Sequence, residues 1–202
     1  MKKKLVLAII CLLLVALCLT ACADYSAQFN KINSLLNAHY SKMKLTVTVT
    51  QDLDTLTSWF EVESIDDDTS TVSFNIQRFA TFPEDGSLPD SFVKTYQGSA
   101  TVNRKSGVTN VTGDVPDDVR LENISSIGIR FNSVYFSNVS VKGNVLSAKV
   151  SKPQAFMGQS DFSCQANSMV VTVSYGSLLN YIRVQYTANN GAKVVLMYDF
   201  TA

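Results

Sequence analysis

Between Tyr25 and Tyr40 the apolar residues stand at Tyr25, Phe29, Ile32, Leu35, Leu36 and Tyr40. Steps of three and four put them on one stripe, so the spacing predicts an amphipathic helix with Asp24 at its N-cap. From Leu45 the period falls to two. Leu45, Val47 and Val49 alternate with Thr46, Thr48 and Thr50, as in a half-buried strand. Leu56, Phe60 and Val62 mark a second strand, and Val72, Phe74 and Ile76 a third beyond the polar turn Asp66-Asp67-Asp68. "PEDGSLPD" (83–90) reads as a loop. Strands over 92–103 and 108–113 follow, with Lys105-Ser106-Gly107 between them.

The alternation then breaks. Pro116, Asp117 and Asp118 start a short helix with Val119, Ile124 and Ile127 inward. Sheet resumes with Val134 and Phe136 on one apolar face and Leu146, Ala148 and Val150 on another, turning at Gly143-Asn144. "KPQAFMG" (152–158) presents Phe156 and Met157 as an apolar tip. Strands at about 168–175, 179–187 and 192–200 close the chain, and Asn190-Gly191 is a strong hairpin signal. Short connections favour antiparallel pairing, and a sheet this long must curl. The fold class expected is α+β and mainly antiparallel β, with the N-terminal helix packed on a long curved sheet.

Ahead of the helix, Lys2, Lys3 and Lys4 precede "LVLAIICLLLVALCL", which is short for a transmembrane helix and laid out like a secretory signal. Leu19-Thr20-Ala21-Cys22 resembles the lipobox of bacterial lipoproteins. The resemblance implies a signal peptide over 1–21, a diacylglycerol thioether on Cys22 and a short tether over 22–24. It also implies a lipid-anchored domain over 25–202 on the extracytoplasmic side of a cell membrane or outer membrane. Ala23 and Asp24 bridge only about 10 Å at full extension, which holds the domain near the bilayer.

The chain has 202 residues, 46% of them apolar, enough for one well-buried domain. Formal charge is zero, but three of the 17 basic residues are Lys2, Lys3 and Lys4, and no acid precedes Asp24. Beyond residue 21 the balance is therefore about three negative charges, a poor match to nucleic acid. With Cys11 and Cys18 in the signal and Cys22 lipidated, Cys164 stands alone and no internal disulfide is available.

Candidate chemistry is sparse. His39 is the single histidine, too little for a catalytic or zinc constellation, and Cys164 is its one thiol partner. The aspartates at 66–68 and at 114, 117 and 118 lack the spacing of calcium loops and read as solvated turns. Glu61 and Glu63 share a strand face with Trp59, a pairing that suits a sugar but equally a solvent face. Asn110-Val111-Thr112, Asn123-Ile124-Ser125 and Asn138-Val139-Ser140 match a glycosylation sequon that a bacterial protein does not use in the eukaryotic way.

The order of elements resembles the half-barrel of the LolA/LolB carriers and the LppX/LprG group, which fold a long antiparallel sheet around an apolar cavity. That resemblance implies a non-catalytic binding module for a lipid or other apolar ligand. Phe74, Phe82, Phe92, Phe131, Phe136 and Phe156 are the candidate lining, with no cofactor and no metal. The same aromatics equally suit a packed core. The alternative function is a structural or interaction protein of the cell envelope, binding a protein or glycan.

Overall fold

The computed structural model describes residues 25–79, 93–124 and 127–202. The segment expected as a signal peptide, Cys22, the expected tether over 22–24 and the strand start at Phe92 lie outside these residues, as does Phe82. Helix α1 spans Ser26–Leu36, with Phe29 and Ile32 buried. Tyr25 takes the N-cap position and makes no side-chain cap. The helix stops four residues short of Tyr40 because that side chain folds back: its hydroxyl donates to Leu35 O at 2.9 Å. The same oxygen accepts from Leu179 N at 3.0 Å. The helix end is thereby fixed to the sheet.

Ten strands follow. They are β1 (Lys42–Gln51), β2 (Asp54–Ser64), β3 (Thr69–Phe79), β4 (Val93–Asn103), β5 (Gly107–Gly113), β6 (Phe136–Lys142), β7 (Val145–Val150), β8 (Val170–Tyr175), β9 (Leu179–Thr187) and β10 (Lys193–Thr201). All form one antiparallel sheet in the order β5-β4-β3-β2-β1-β10-β9-β8-β7-β6. Each half is a meander, and the halves join where β1 pairs with β10, from Lys42 opposite Thr201 to Thr50 opposite Lys193. The first and last strands thus make the centre of the sheet, and β5 and β6 its edges. The sheet is a curved, open half-barrel.

Alternation gives the sheet two unlike faces. The inner one carries the core, including Leu45, Phe60, Val72, Phe74, Val173 and Ile182. On the outer face stand the threonines of β1 with Trp59, Glu61 and Ser73. Helix α1 covers part of the inner face. The segment 114–135 covers more, because it must run from edge β5 to edge β6. It carries the one-turn helix α2 (Leu121–Ile124) and buries Leu121, Ile129 and Phe131. The helix is a single turn and begins later than the Pro116 signal suggests; Val119, Ile124 and Ile127 are half-buried, as expected. The segment is pinned along its length. Arg78 pairs with Asp118 at 2.9 Å, Arg130 N donates to Phe156 O at 2.9 Å, and Asn33 holds Phe131.

Two local expectations need correction. Val134 is not on a strand: it lies in a 3-10 turn (Ser133–Tyr135) and is 59% exposed. Asn132 Oδ1 accepts from Val134 N and sets that turn. "KPQAFMG" is no exposed tip either. It forms helix α3 (Pro153–Met157), started by proline and ended by Gly158 in the left-handed region at φ +67°. Phe156 and Met157 point from it into the core.

Candidate functional site

The aromatics proposed from the sequence occupy two places. Phe131, Phe136 and Phe156 gather with Phe29 of α1 in one cluster. Phe29 stacks on Phe136 at 4.9 Å between ring centroids. Phe156 meets Phe131 and Phe136 edge-on, each at 5.4 Å. Such geometry adds about 0.5–1.5 kcal/mol per pair beyond burial. Asn33 locks the cluster, donating from Nδ2 to Phe131 O at 2.6 Å and accepting from Phe131 N at 3.1 Å. One side-chain amide thus serves the backbone as a neighbouring strand would. Phe74 sits apart, opposite Gly98 of β4. A Cβ on Gly98 would stand 2.8 Å from the Phe74 ring and 2.0 Å from Thr112 O, so the missing side chain makes room for the ring.

An open space lies at the other end of α1. The start of β1 and the ends of β2, β4 and β10 meet there with the start of β3, and together they bound a cleft of about 450 Å³ on the inner face. Its apolar lining residues are Leu36, Met43, Val62, Ile127 and Phe200, of which Met43 and Val62 are buried. Tyr40 leans on Phe200 with ring centroids 4.9 Å apart. Burial raises the Tyr40 phenol above its ordinary value, opposed in part by the Leu179 amide. Polar residues line it as well, Asn37, His39, Ser64, Ser70, Arg104 and Arg130, with both arginines exposed. None of Phe74, Phe131, Phe136 and Phe156 borders this cleft. Sequence reading missed it because its residues come from six separate segments, and the end of α1 that frames it depends on Tyr40 reaching Leu179.

Two further clefts of similar size are shallower in character. One lies at the β4–β5 turn beside Glu122, about 490 Å³. The other lies beside α3 and Cys164, about 460 Å³. His39 and Cys164 therefore border different clefts, and the structure does not bring them together as base and nucleophile. Glu61 and Glu63 are on the outer face, both paired with Lys42. These pairs raise the Lys42 ammonium above its ordinary value. Lys44 lies over the Trp59 ring at 5.6 Å. No cleft faces that carboxylate pair among those described.

The aspartate clusters serve the fold. Asp66 Oδ1 accepts from Asp68 N at 2.9 Å and Thr69 N at 2.7 Å, closing the β2–β3 turn and lowering its carboxyl below the usual range. Asp68 pairs with Lys105 across to the next turn. Asp118 is held low by Arg78. Among the described residues no three His, Cys, Asp or Glu side chains group to hold a metal ion. Nor is any described helix long and apolar enough to cross a membrane.

No protein-family model matches the sequence, and no curated protein does. Among solved structures the chain is similar to LprF from Mycobacterium bovis, at 8% identity over 89% of this chain and 94% of that one, with a TM-score of 0.45. A LolA superfamily protein from Nitrosomonas europaea aligns at 10% identity over 88% and 92%, with a TM-score of 0.33. Likeness at this level concerns the outline of the fold.

Proposed function

We propose that the protein is a lipid-anchored bacterial lipoprotein acting as a non-catalytic binding module for a lipid or other apolar ligand. The observation that carries the reading is the inner-face cleft whose lining includes Leu36, Met43, Val62, Ile127 and Phe200. Ligand pockets are concave, mainly apolar at the base and fixed by few polar groups, with volumes of about 300–1,000 Å³. In this reading Phe74, Phe131, Phe136 and Phe156 pack the core away from the cleft, and the ligand meets only the cleft's own lining.

Anchoring rests on the leader and on Cys22. The tether enters at the N-terminal end of α1, and the cleft opens at its C-terminal end. Eleven residues of helix separate the two by about 16 Å. Native mass spectrometry of protein purified from its own host tests the binding reading. A retained mass is expected; a clean apo mass, with no uptake of a fatty alcohol in solution, overturns it. Labelling with radioactive fatty acid tests the anchor, expected on the native chain and absent from Cys22→Ser.

A further inference from the structure

We infer that the cleft at the end of α1 selects an anionic single-chain amphiphile, with Arg104 and Arg130 receiving its carboxylate or phosphate head. The inference rests on the proposed binding reading and names the ligand class for that same site.

Charge is the first ground. Two arginines and His39 border the cleft, and none of its bordering residues is an aspartate or glutamate. Neither guanidinium makes an ion pair among the described residues. Arg130 makes one long hydrogen bond, Nη1 to Ile129 O at 3.3 Å. Arg104 is tied only through its backbone, N to Asp68 O at 2.9 Å. The Asp68 carboxylate beside it is taken by Lys105. Arg104 also borders the neighbouring cleft, where Glu122 stands. Arginine presents a planar fork that suits both carboxylate and phosphate.

The negative end of α1 faces the same space and opposes an anion. Its carbonyls are largely occupied. Asn33 O accepts from Asn37 Nδ2, Ser34 O from Asn37 N, and Leu35 O from Ala38 N. Tyr40 donates a second bond to Leu35 O. Little of the helix terminus is left to repel the head group.

Size is the second ground. About 450 Å³ lies in the lower half of the range for small-ligand pockets, which suits one chain and not a multi-chain lipid. Buried Met43 and Val62 and exposed Arg104 and Arg130 border the same cleft, matching a molecule that is apolar along its length and charged at one end.

The test uses the purified full chain and a fluorescent fatty acid, displaced in turn by dodecanoate, dodecanol and inorganic phosphate. Dodecanoate is expected to displace the probe at a concentration at least about tenfold below dodecanol. The double variant Arg104→Gln, Arg130→Gln is expected to remove that preference by weakening dodecanoate alone, with Tm unchanged because both side chains are exposed. Equal potency of acid and alcohol on the native chain overturns the inference while leaving the binding reading in place. A preference that survives the double variant overturns it too. Phosphate acting as well as dodecanoate makes the site a free-anion site and overturns the amphiphile. Failure of every chain-bearing compound to bind overturns this inference and the binding reading together.

Discussion

Asn33 shows how much one side chain carries in this protein. It lies on α1, and its partner Phe131 lies 98 positions away on the crossing segment. Asn33→Ala leaves the amide and carbonyl of buried Phe131 without their partner. The expected cost is about 1–3 kcal/mol in urea unfolding, larger than its half-exposed position suggests. Tyr198 gives a second prediction, of pH dependence. Burial, with Tyr186 nearby, pushes its phenol up from 10.0 to about 12. The folded chain holds that proton more tightly than the unfolded one, so the contribution is complete below pH 10 and is lost as pH rises toward 12. Phenolate absorbance should show Tyr198 among the last tyrosines to ionise, and Tyr198→Phe should lose less stability over that window than the native chain.

At the scale of elements, the two edges of the sheet solve one problem in the same way. Each edge strand inserts one extra residue against its neighbour, β5 opposite Ser99 to Thr101 and β6 opposite Lys149 to Ser147. At each bulge an asparagine takes the left-handed region, Asn110 at φ +49° and Asn138 at φ +50°. Bulges twist an edge away from further pairing, and asparagine tolerates that backbone. Asn110-Val111-Thr112 and Asn138-Val139-Ser140 thus match a sequon because both spell the same bulge. Valine at either asparagine should cost about 1–2 kcal/mol and speed hydrogen exchange in that edge strand, whereas glycine should be tolerated. Equal exchange in the two variants would argue that the bulge is not set by this residue.

For the whole molecule, the central pairing is the most distant in sequence. Ser41 Oγ donates to Ala202 O at 2.7 Å, 161 positions along the chain. The sheet cannot be completed until its last strand arrives, which makes folding slow and the C-terminus decisive. A chain ended after Ala192, lacking β10, should show no cooperative unfolding transition, because each meander would then expose a new inner edge. In the intact protein, amide exchange should be slowest in β1, β9 and β10 and fastest in β5 and β6.

Strand existence, the α1 stripe and the hairpin at Asn190-Gly191 were legible in the residues, because alternation and turn chemistry act between neighbours a few positions apart. Phe74 on β3 was legible as inward for the same reason. The end of α1 and the burial of α3 were not, because each depends on a partner far along the chain: Leu179, and the core beneath Phe156; the turn at Val134 is set locally by Asn132, which the apolar pattern does not register. The cleft follows the same rule. Its apolar lining and its arginines are unremarkable residues in separate segments, and only the closure of β1 on β10, with the crossing segment laid over the inner face, brings them to one place. Sequence alone determined the periods of the elements and, within the regular strands, the face each residue takes. Tertiary structure decided the strand order, the edges and the site, since these are set by contacts between residues whose separation in the chain no local pattern records.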